Sequence, residues 1–245
     1  MKNKSVLILG ALSDIARSIG HQFGSNGYNL LLAARNKNEL QKYSSDLMNR
    51  YDIKIDVYEF DILKTETHKD FIKNLSSIPS ILICAVGLME DQKKIEKESD
   101  LRSDVLRTNF EGPINIISDF ANIFEDKRDG TIVGISSVAG ERGRANNYLY
   151  GSSKAGFTVF LSGLRNRLSK KNVHVLTVLP GPVFTKMTKD TKLPKILTAT
   201  PNQVAKDIFV AVIKKKDVIY TFKIWKLIMI IIKIIPEKIF KKTNI

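Results

Sequence analysis

Residues 5–27 read SVLILGALSDIARSIGHQFGSNG. The first six, SVLILG (5–10), form an apolar run that ends in glycine, which predicts a strand buried on both faces. The period then changes. Ile15, Ile19 and Phe23 recur at four-residue steps, the spacing of one helix face. A buried strand, a short turn and a helix begin a βαβ unit, and the rest of the chain repeats its rhythm. The start, MKNKSVLILGAL, also has the lysine-then-apolar order of a secretory leader. Its apolar run is short, and SDIARSIG stands where a small-residue cleavage site would be, so it is read as the first strand.

The alternation continues along the chain. YNLLLAA (28–34), KIDVYEFDI (54–62), SILICAVG (80–87), GTIVGISS (130–137), VHVLTVLPG (173–181) and DVIY (217–220) predict further strands. KNELQKYSSDLMNRY and KAGFTVFLSGLRNRLS lie between them as helices. Apolar strands separated by helices predict an α/β protein with a doubly wound parallel sheet and right-handed crossovers. Ligands of such sheets sit at the carboxyl ends of the strands, where strand order reverses. No repeat or Pro/Gly/Ser linker interrupts the chain, but composition shifts after about residue 217. The expected division is a sheet domain, 1–217, and a basic amphipathic tail, 218–245, that is an extension rather than a domain.

With 245 residues, 43% hydrophobic and 26% charged, the chain is globular and long enough for a substantial core. Its one cysteine, Cys84, excludes an intramolecular disulfide and suits a reducing, cytoplasmic setting. The formal net charge of +14 favours nucleic acid, anionic lipid or phosphorylated ligands, or else reflects a lysine-rich solvated surface. Neither paired Cys/His ligands nor an aromatic RNA signature occurs, so no nucleic-acid partner is expected. His21, His68 and His174 are scattered, and no metal site is expected.

Chemistry concentrates at three places. The first strand–helix turn, GALSDIA (10–16), with Gly10, Leu12, Ser13, Asp14 and Ile15, is placed to aim backbone N–H groups at a phosphate. The alternative is an ordinary connection with Ser13 or Asp14 as N-cap. The second strand ends in Ala34 and Arg35. An acid here would bind a ribose 2′-hydroxyl, whereas arginine pairs with a 2′-phosphate, so NADP(H) is expected over NAD. The alternative is a solvated arginine at a helix start. In GISSVAGERGRANNYLYGSSKAG (134–156), Tyr150 and Lys154 are four apart and share a helix face. An ammonium beside a phenol favours phenolate and is expected to lower the tyrosine pKa towards working pH. Tyr148 has Ser152, not lysine, one turn on.

Ser137 lies thirteen residues before Tyr150 in the setting SSVAG, and with Tyr-x-x-x-Lys this segment resembles the short-chain dehydrogenase/reductase family. The resemblance covers about residues 4–215 and implies a Rossmann-type sheet binding NAD(P). It implies Ser137 as the carbonyl-orienting hydroxyl, Tyr150 as acid/base, and Lys154 as its partner and a ribose ligand. Asn109 in TNFEG (108–112) matches the asparagine that anchors a proton-relay water. Asp61 and Ile62 match the adenine-pocket pair. CAVG (84–87), with Ala85 and Gly87, takes the place of the Asn-Asn-Ala-Gly turn. Pro180, Gly181, Val183 and Thr185 match the segment that meets the nicotinamide amide.

Two departures stand out. The pattern Thr-Gly-x-x-x-Gly-x-Gly reads Leu9, Gly10, Asp14 and Ala16, and CAVG lacks both asparagines. With AVGLMEDQ (85–92) and ISSVAGERGR (135–144), these features resemble a branch that includes decaprenylphosphoryl 2-keto-ribose reductases. That branch implies reduction of a lipid-linked keto-sugar to a secondary alcohol in cell-surface glycan synthesis. The family as a whole implies a homo-oligomer. The alternatives are a reductase of a ketoacyl or other hydrophobic ketone, and a non-catalytic NADP-binding membrane-peripheral protein.

The tail YTFKIWKLIMIIIKIIPEKIFKKTNI (220–245) sets Lys223, Lys226 and Lys233 on one side of a helix, with Trp225, Ile228, Met229 and Ile232 over the rest. Its lysines and Pro236 argue against a spanning helix. A basic amphipathic helix with tryptophan suits an anionic membrane surface. Packing on the core or at a dimer contact is the other reading.

Overall fold

The computed structural model describes residues 4–188 and 195–243, so the first residues of the leader-like start and the last two of the tail lie outside the described residues. Seven parallel strands form one sheet: β1 (Ser5–Leu9), β2 (Asn29–Ala34), β3 (Ile55–Glu59), β4 (Ile81–Cys84), β5 (Gly130–Ile135), β6 (Val173–Pro180) and β7 (Val218–Thr221). Their order is β3-β2-β1-β4-β5-β6-β7. Each predicted strand segment is a strand, and the fold is the expected doubly wound sheet.

The apolar runs follow from burial on both faces. Along β2, Leu30 and Leu32 enter one core while Leu31 and Ala33 enter the other, the two-residue alternation of a strand. The first core lies under α1 (Asp14–Gly24), α2 (Lys37–Arg50) and α8 (Pro201–Ile213), with Phe23, Leu40 and Ile208 fully buried. The second lies under α6 (Gly112–Lys127) and α7 (Tyr148–Leu168), with Phe120, Phe157 and Leu161. Shorter helices α3 (His68–Lys73), α4 (Gln92–Lys97) and α5 (Ser99–Leu106) complete that side. At the edge, β3 is only partly buried, and its Asp56 and Glu59 are exposed.

Strand order reverses between β1 and β4, whose last residues Leu9 and Cys84 are in register. This opens a crevice above Gly10 and Ala85. Gly10 adopts φ +76°, and a Cβ there would stand 3.0 Å from the Ala85 carbonyl oxygen. Only glycine takes that turn without strain.

The division expected at residue 217 falls just before β7, which pairs with Thr177–Pro180 of β6. The extension beyond the sheet is therefore α9 (Ile224–Ile234) and α10 (Glu237–Phe240). The apolar residues of the tail helix fall on two faces. Trp225, Met229 and Ile232 pack on Val138 and Leu179, whereas Ile224, Leu227, Ile231 and Ile234 are exposed. Among the described residues no helix is long and apolar enough to cross a membrane.

Candidate active site

A cavity of about 480 Å³ opens at the carboxyl ends of the central strands. A second, of about 420 Å³, adjoins it and shares Leu12, Ser13, Ala85, Val86 and Gly87 with it. The first is lined by Asp14 and Ile15, by Ser137, Tyr150 and Lys154, and by Pro180, Gly181, Val183 and Thr185. The second is lined by Gly10, Ala34, Arg35, Asp61 and Ile62. Every expected site residue thus borders this two-part crevice except Asn109, which is fully buried behind it.

Ser137 follows β5 and caps the short 3₁₀ turn Val138–Gly140. Its Oγ accepts the Ala139 N–H at 3.1 Å, and its hydroxyl donates to the Pro180 carbonyl at 3.5 Å. The turn lies directly against α7: a Cβ on Gly140 would approach the Ala155 nitrogen to 2.7 Å. This close approach brings Ser137 beside Tyr150 in the first turn of α7. Lys154, one turn on, is 3% exposed, donates from Nζ to the Ile135 carbonyl at 3.1 Å, and lies 5.8 Å from the centre of the Tyr150 ring.

Burial pulls the Lys154 pKa down to about 8, with Cys84 opposing. Burial pushes the Tyr150 phenol up to about 12, and the Ser137 hydrogen bond works the other way. The expected lowering of the phenol is therefore corrected for the protein alone. Loss of hydration outweighs the Ser137 hydrogen bond, and the Lys154 ammonium donates to the Ile135 carbonyl. The phenol is a held proton donor rather than a phenolate.

The other hydroxyls are structural. Ser136 donates to the Lys154 carbonyl and bonds Thr158, Ser152 donates to the Tyr148 carbonyl, and Ser153 to the Tyr150 carbonyl. Tyr148 is exposed and donates to Glu96. Asn109 sits in a π-helical turn, Arg107–Glu111, between α5 and α6. Its amide clamps Leu88, accepting the backbone N–H at 2.9 Å and donating to the carbonyl at 2.7 Å. The side chain thus fixes the loop after β4, and such single π turns recur at functional sites.

Ser13, not Asp14, caps α1, accepting the Ala16 N–H. The first-turn N–H groups of Asp14 and Ile15 have no partner within the helix and border the cavity. The Asp14 carboxylate accepts the Lys186 N–H at 2.6 Å, tying the loop after β6 to the start of α1. Asp61 accepts the Leu63 N–H. Arg35 is exposed at the mouth of the second cavity.

The sequence reading missed what the ERGR segment, 141–144, does. The Arg142 guanidinium donates to the carbonyls of Ile232, Lys233 and Ile235 and to Glu237, and stacks on Phe240. Glu141 accepts from Lys233 and from Tyr220. A Cβ on Gly181 would overlap the indole of Trp225, which donates to the Leu197 carbonyl at 2.8 Å. The tail is thus locked beside the cavity. Four charged or small residues in a loop were the available signal, without a partner to assign them.

The crevice fits a dinucleotide. It offers a glycine turn with no room for a side chain, unpaired helix N–H groups, a cation at one end and a hydroxyl–phenol–amine cluster at the other. The short chain dehydrogenase family matches residues 4–195. An uncharacterised oxidoreductase of Mycobacterium tuberculosis is 27% identical over 240 residues, covering 97% of this chain and 96% of the relative. A 3-oxoacyl-[acyl-carrier-protein] reductase of Aquifex aeolicus is 28% identical over 191 residues, covering 77% of each. In fold, the chain is similar to a short-chain dehydrogenase of Sphingobium yanoikuyae solved with NADPH. The TM-score is 0.82 at 22% identity, covering 89% of this chain and 87% of the other. Sheet order, crevice and family match lead to one conclusion: the chain belongs to the short-chain dehydrogenase family.

Proposed function

We propose that the protein is an NADP(H)-dependent reductase that converts a ketone to a secondary alcohol, and can run the reverse oxidation. The observation that carries this reading is the convergence of Ser137, Tyr150 and buried Lys154 on one wall of the cavity, facing the Gly10 turn across the switch point. NADPH, when bound, supplies the hydride. Gly10, Leu12, Ser13 and the N–H groups of Asp14 and Ile15 hold its phosphates. Arg35 holds the 2′-phosphate, Asp61 and Ile62 border the adenine, and Ala85, Gly87 and Pro180–Thr185 border the rest. The Ser137 and Tyr150 hydroxyls hold the carbonyl oxygen, two fixed donors aimed at developing alkoxide charge. Tyr150 gives the proton, and a phenol that stays protonated in the protein alone is prepared for that direction. Lys154 orients the phenol and holds the ribose, and Asn109 fixes the loop after β4.

Support for NADP(H) comes from Ala34 and Arg35 at the second cavity and from similar folds solved with NADPH and with NADP. The double change Ala34→Asp with Arg35→Ala should move preference towards NADH; tighter NADH than NADPH binding by the unaltered protein would refute the assignment.

For the substrate, we favour a hydrophobic or lipid-linked ketone, including a lipid-linked keto-sugar, presented at an anionic membrane surface. The favouring observation is the exposed stripe Ile224, Leu227, Ile231 and Ile234, bordered by exposed Lys223, Lys226 and Lys233, on the helix whose other face packs beside the cavity. A ketoacyl substrate is the second reading, favoured by the 3-oxoacyl-[acyl-carrier-protein] reductases among the relatives. NADPH consumption over a panel of lipid-linked keto-sugars and ketoacyl thioesters separates the two. Consumption with neither, alongside intact NADPH binding, would return the non-catalytic binding protein.

A further inference from the structure

Arg144 lines the same cavity as Tyr150, on the side formed by the loop between Ser137 and α7. It is half-buried and poorly partnered. Among the described residues its hydrogen-bond acceptor is the Met229 sulfur of α9, 3.4 Å from Nη2, and its buried Nε has none. The nearest acid along the loop, Glu141, accepts from Lys233 and Tyr220 through Oε1, and its buried Oε2 makes no hydrogen bond to Arg144 or to any other group among the described residues. Burial draws the guanidinium pKa down, with Glu141 opposing. Beside it, Asn147 is the N-cap residue of α7, and its N–H donates to the Arg144 carbonyl at 3.1 Å. The Asn147 Oδ1 is likewise buried without a partner, and Asn147 lines the cavity too.

Buried polar atoms are nearly always paired, and a guanidinium held against a thioether gives up hydration for little return. Two such atoms lie on residues three apart in the chain, and both residues line the cavity that Ser137 and Tyr150 also line. A guanidinium fork matches carboxylate or phosphate oxygens, and an amide oxygen accepts from a hydroxyl.

We infer that Arg144 and Asn147 form an anion subsite in the substrate half of the cavity, so that the ketone carries a carboxylate or phosphate group together with a hydroxyl. This rests on the ketone-reductase reading above and narrows its substrate class. It also gives the tail a part in recognition. Met229 supports Arg144 from below, so α9 sets the position of the cation.

The test uses the full chain saturated with NADP⁺, so that the cofactor's own phosphate sites are filled. Calorimetric titration compares 4-hydroxybutan-2-one with its phosphate monoester and with 4-oxopentanoate. The account expects at least one charged ketone to bind roughly tenfold or more tightly than the neutral one, a difference of about 1.4 kcal/mol. Whichever charged ketone is preferred tells phosphate from carboxylate. Arg144→Gln should erase the preference, and Arg144→Lys should keep part of it, with NADP⁺ affinity unchanged in both. Unaltered NADP⁺ affinity and circular dichroism establish that the variants fold; if Arg144→Gln fails this check, the Arg144→Lys comparison and the unaltered protein's own preference decide. Equal binding of neutral and charged ketones, no binding of any, or a preference that survives Arg144→Gln would overturn the subsite. Reduction of neutral ketones without an anion preference would overturn it while leaving the reductase reading intact. Binding of the anions without NADPH consumption on any ketone would do the opposite.

Discussion

Lys154 is buried at the wall of the cavity, and this has two pH effects. Its pKa falls from 10.5 in the open chain to about 8 when folded. Between those values the unfolded chain binds the extra proton, so this group makes stability rise with pH from about 8 to 10.5. Below about pH 8 the penalty is constant. Between about pH 7.5 and 10 the urea midpoint should change more favourably in the unaltered protein than in Lys154→Met, whose comparison cancels the opposing contribution of the raised Cys84 thiol; equal changes would remove the assignment. For catalysis the sign reverses. Reduction that needs the charged lysine should fall as pH rises through about 8, by about tenfold per unit, in kcat/KM profiles. Tyr150 and Lys154 were legible as neighbours because their four-residue spacing puts them on one helix face, whereas Ser137 was legible only through the family resemblance. Asp14 with Lys186 was not, since that hydrogen bond spans 172 residues and exists only once the sheet is wound. Nor was the direction of the phenol's shift, which depends on burial rather than on the spacing of charges.

Among the elements, α9 depends on a residue far from it in sequence. Its final carbonyls have no partners further along the helix, and Arg142 supplies donors to three of them at 2.6–3.1 Å. Arg142→Met should loosen the tail by about 1–3 kcal/mol, the scale of a charge-assisted bond lost from a partly buried site. Hydrogen exchange should then quicken over residues 224–240 and leave β1, β4 and β5 unchanged; uniform change across the sheet would show that the tail is not a separate locking unit. Gly181→Ala should have a similar local effect, because its methyl overlaps the Trp225 indole. All seven strands were legible: two-sided burial writes apolar runs along the central strands, and the edge strands β3 and β7 still carry enough apolar residues to mark them. The π turn holding Asn109 was not, because one extra residue in a helical turn leaves no compositional mark. The tail was half legible. Its apolar residues announce a helix with surface to cover, but two stripes satisfy the same period, and only Gly181, Val138 and Leu179 decide which one turns inward.

Taken as a whole, the molecule brings a cofactor-sized crevice, a substrate cavity and an apolar, lysine-bordered surface to neighbouring positions. If that surface meets lipid, Leu227→Ser with Ile231→Ser should abolish sedimentation with anionic vesicles while NADPH affinity stays constant. Raised salt should weaken binding of the unaltered protein without eliminating it, since the apolar part is not screened. Indifference of the unaltered protein to such vesicles would make the stripe a protein contact. The central claim, that the crevice is an NADP(H)-dependent ketone reductase worked by the Tyr150 phenol, is tested most directly by one paired measurement on Tyr150→Phe: NADPH affinity by titration, and NADPH consumption with a ketone that the unaltered protein reduces. The account predicts unaltered affinity with turnover lower by about 10²-fold or more, while Tyr148→Phe stays near normal. A Tyr150→Phe protein that still consumes NADPH within a few-fold of the normal rate would contradict it.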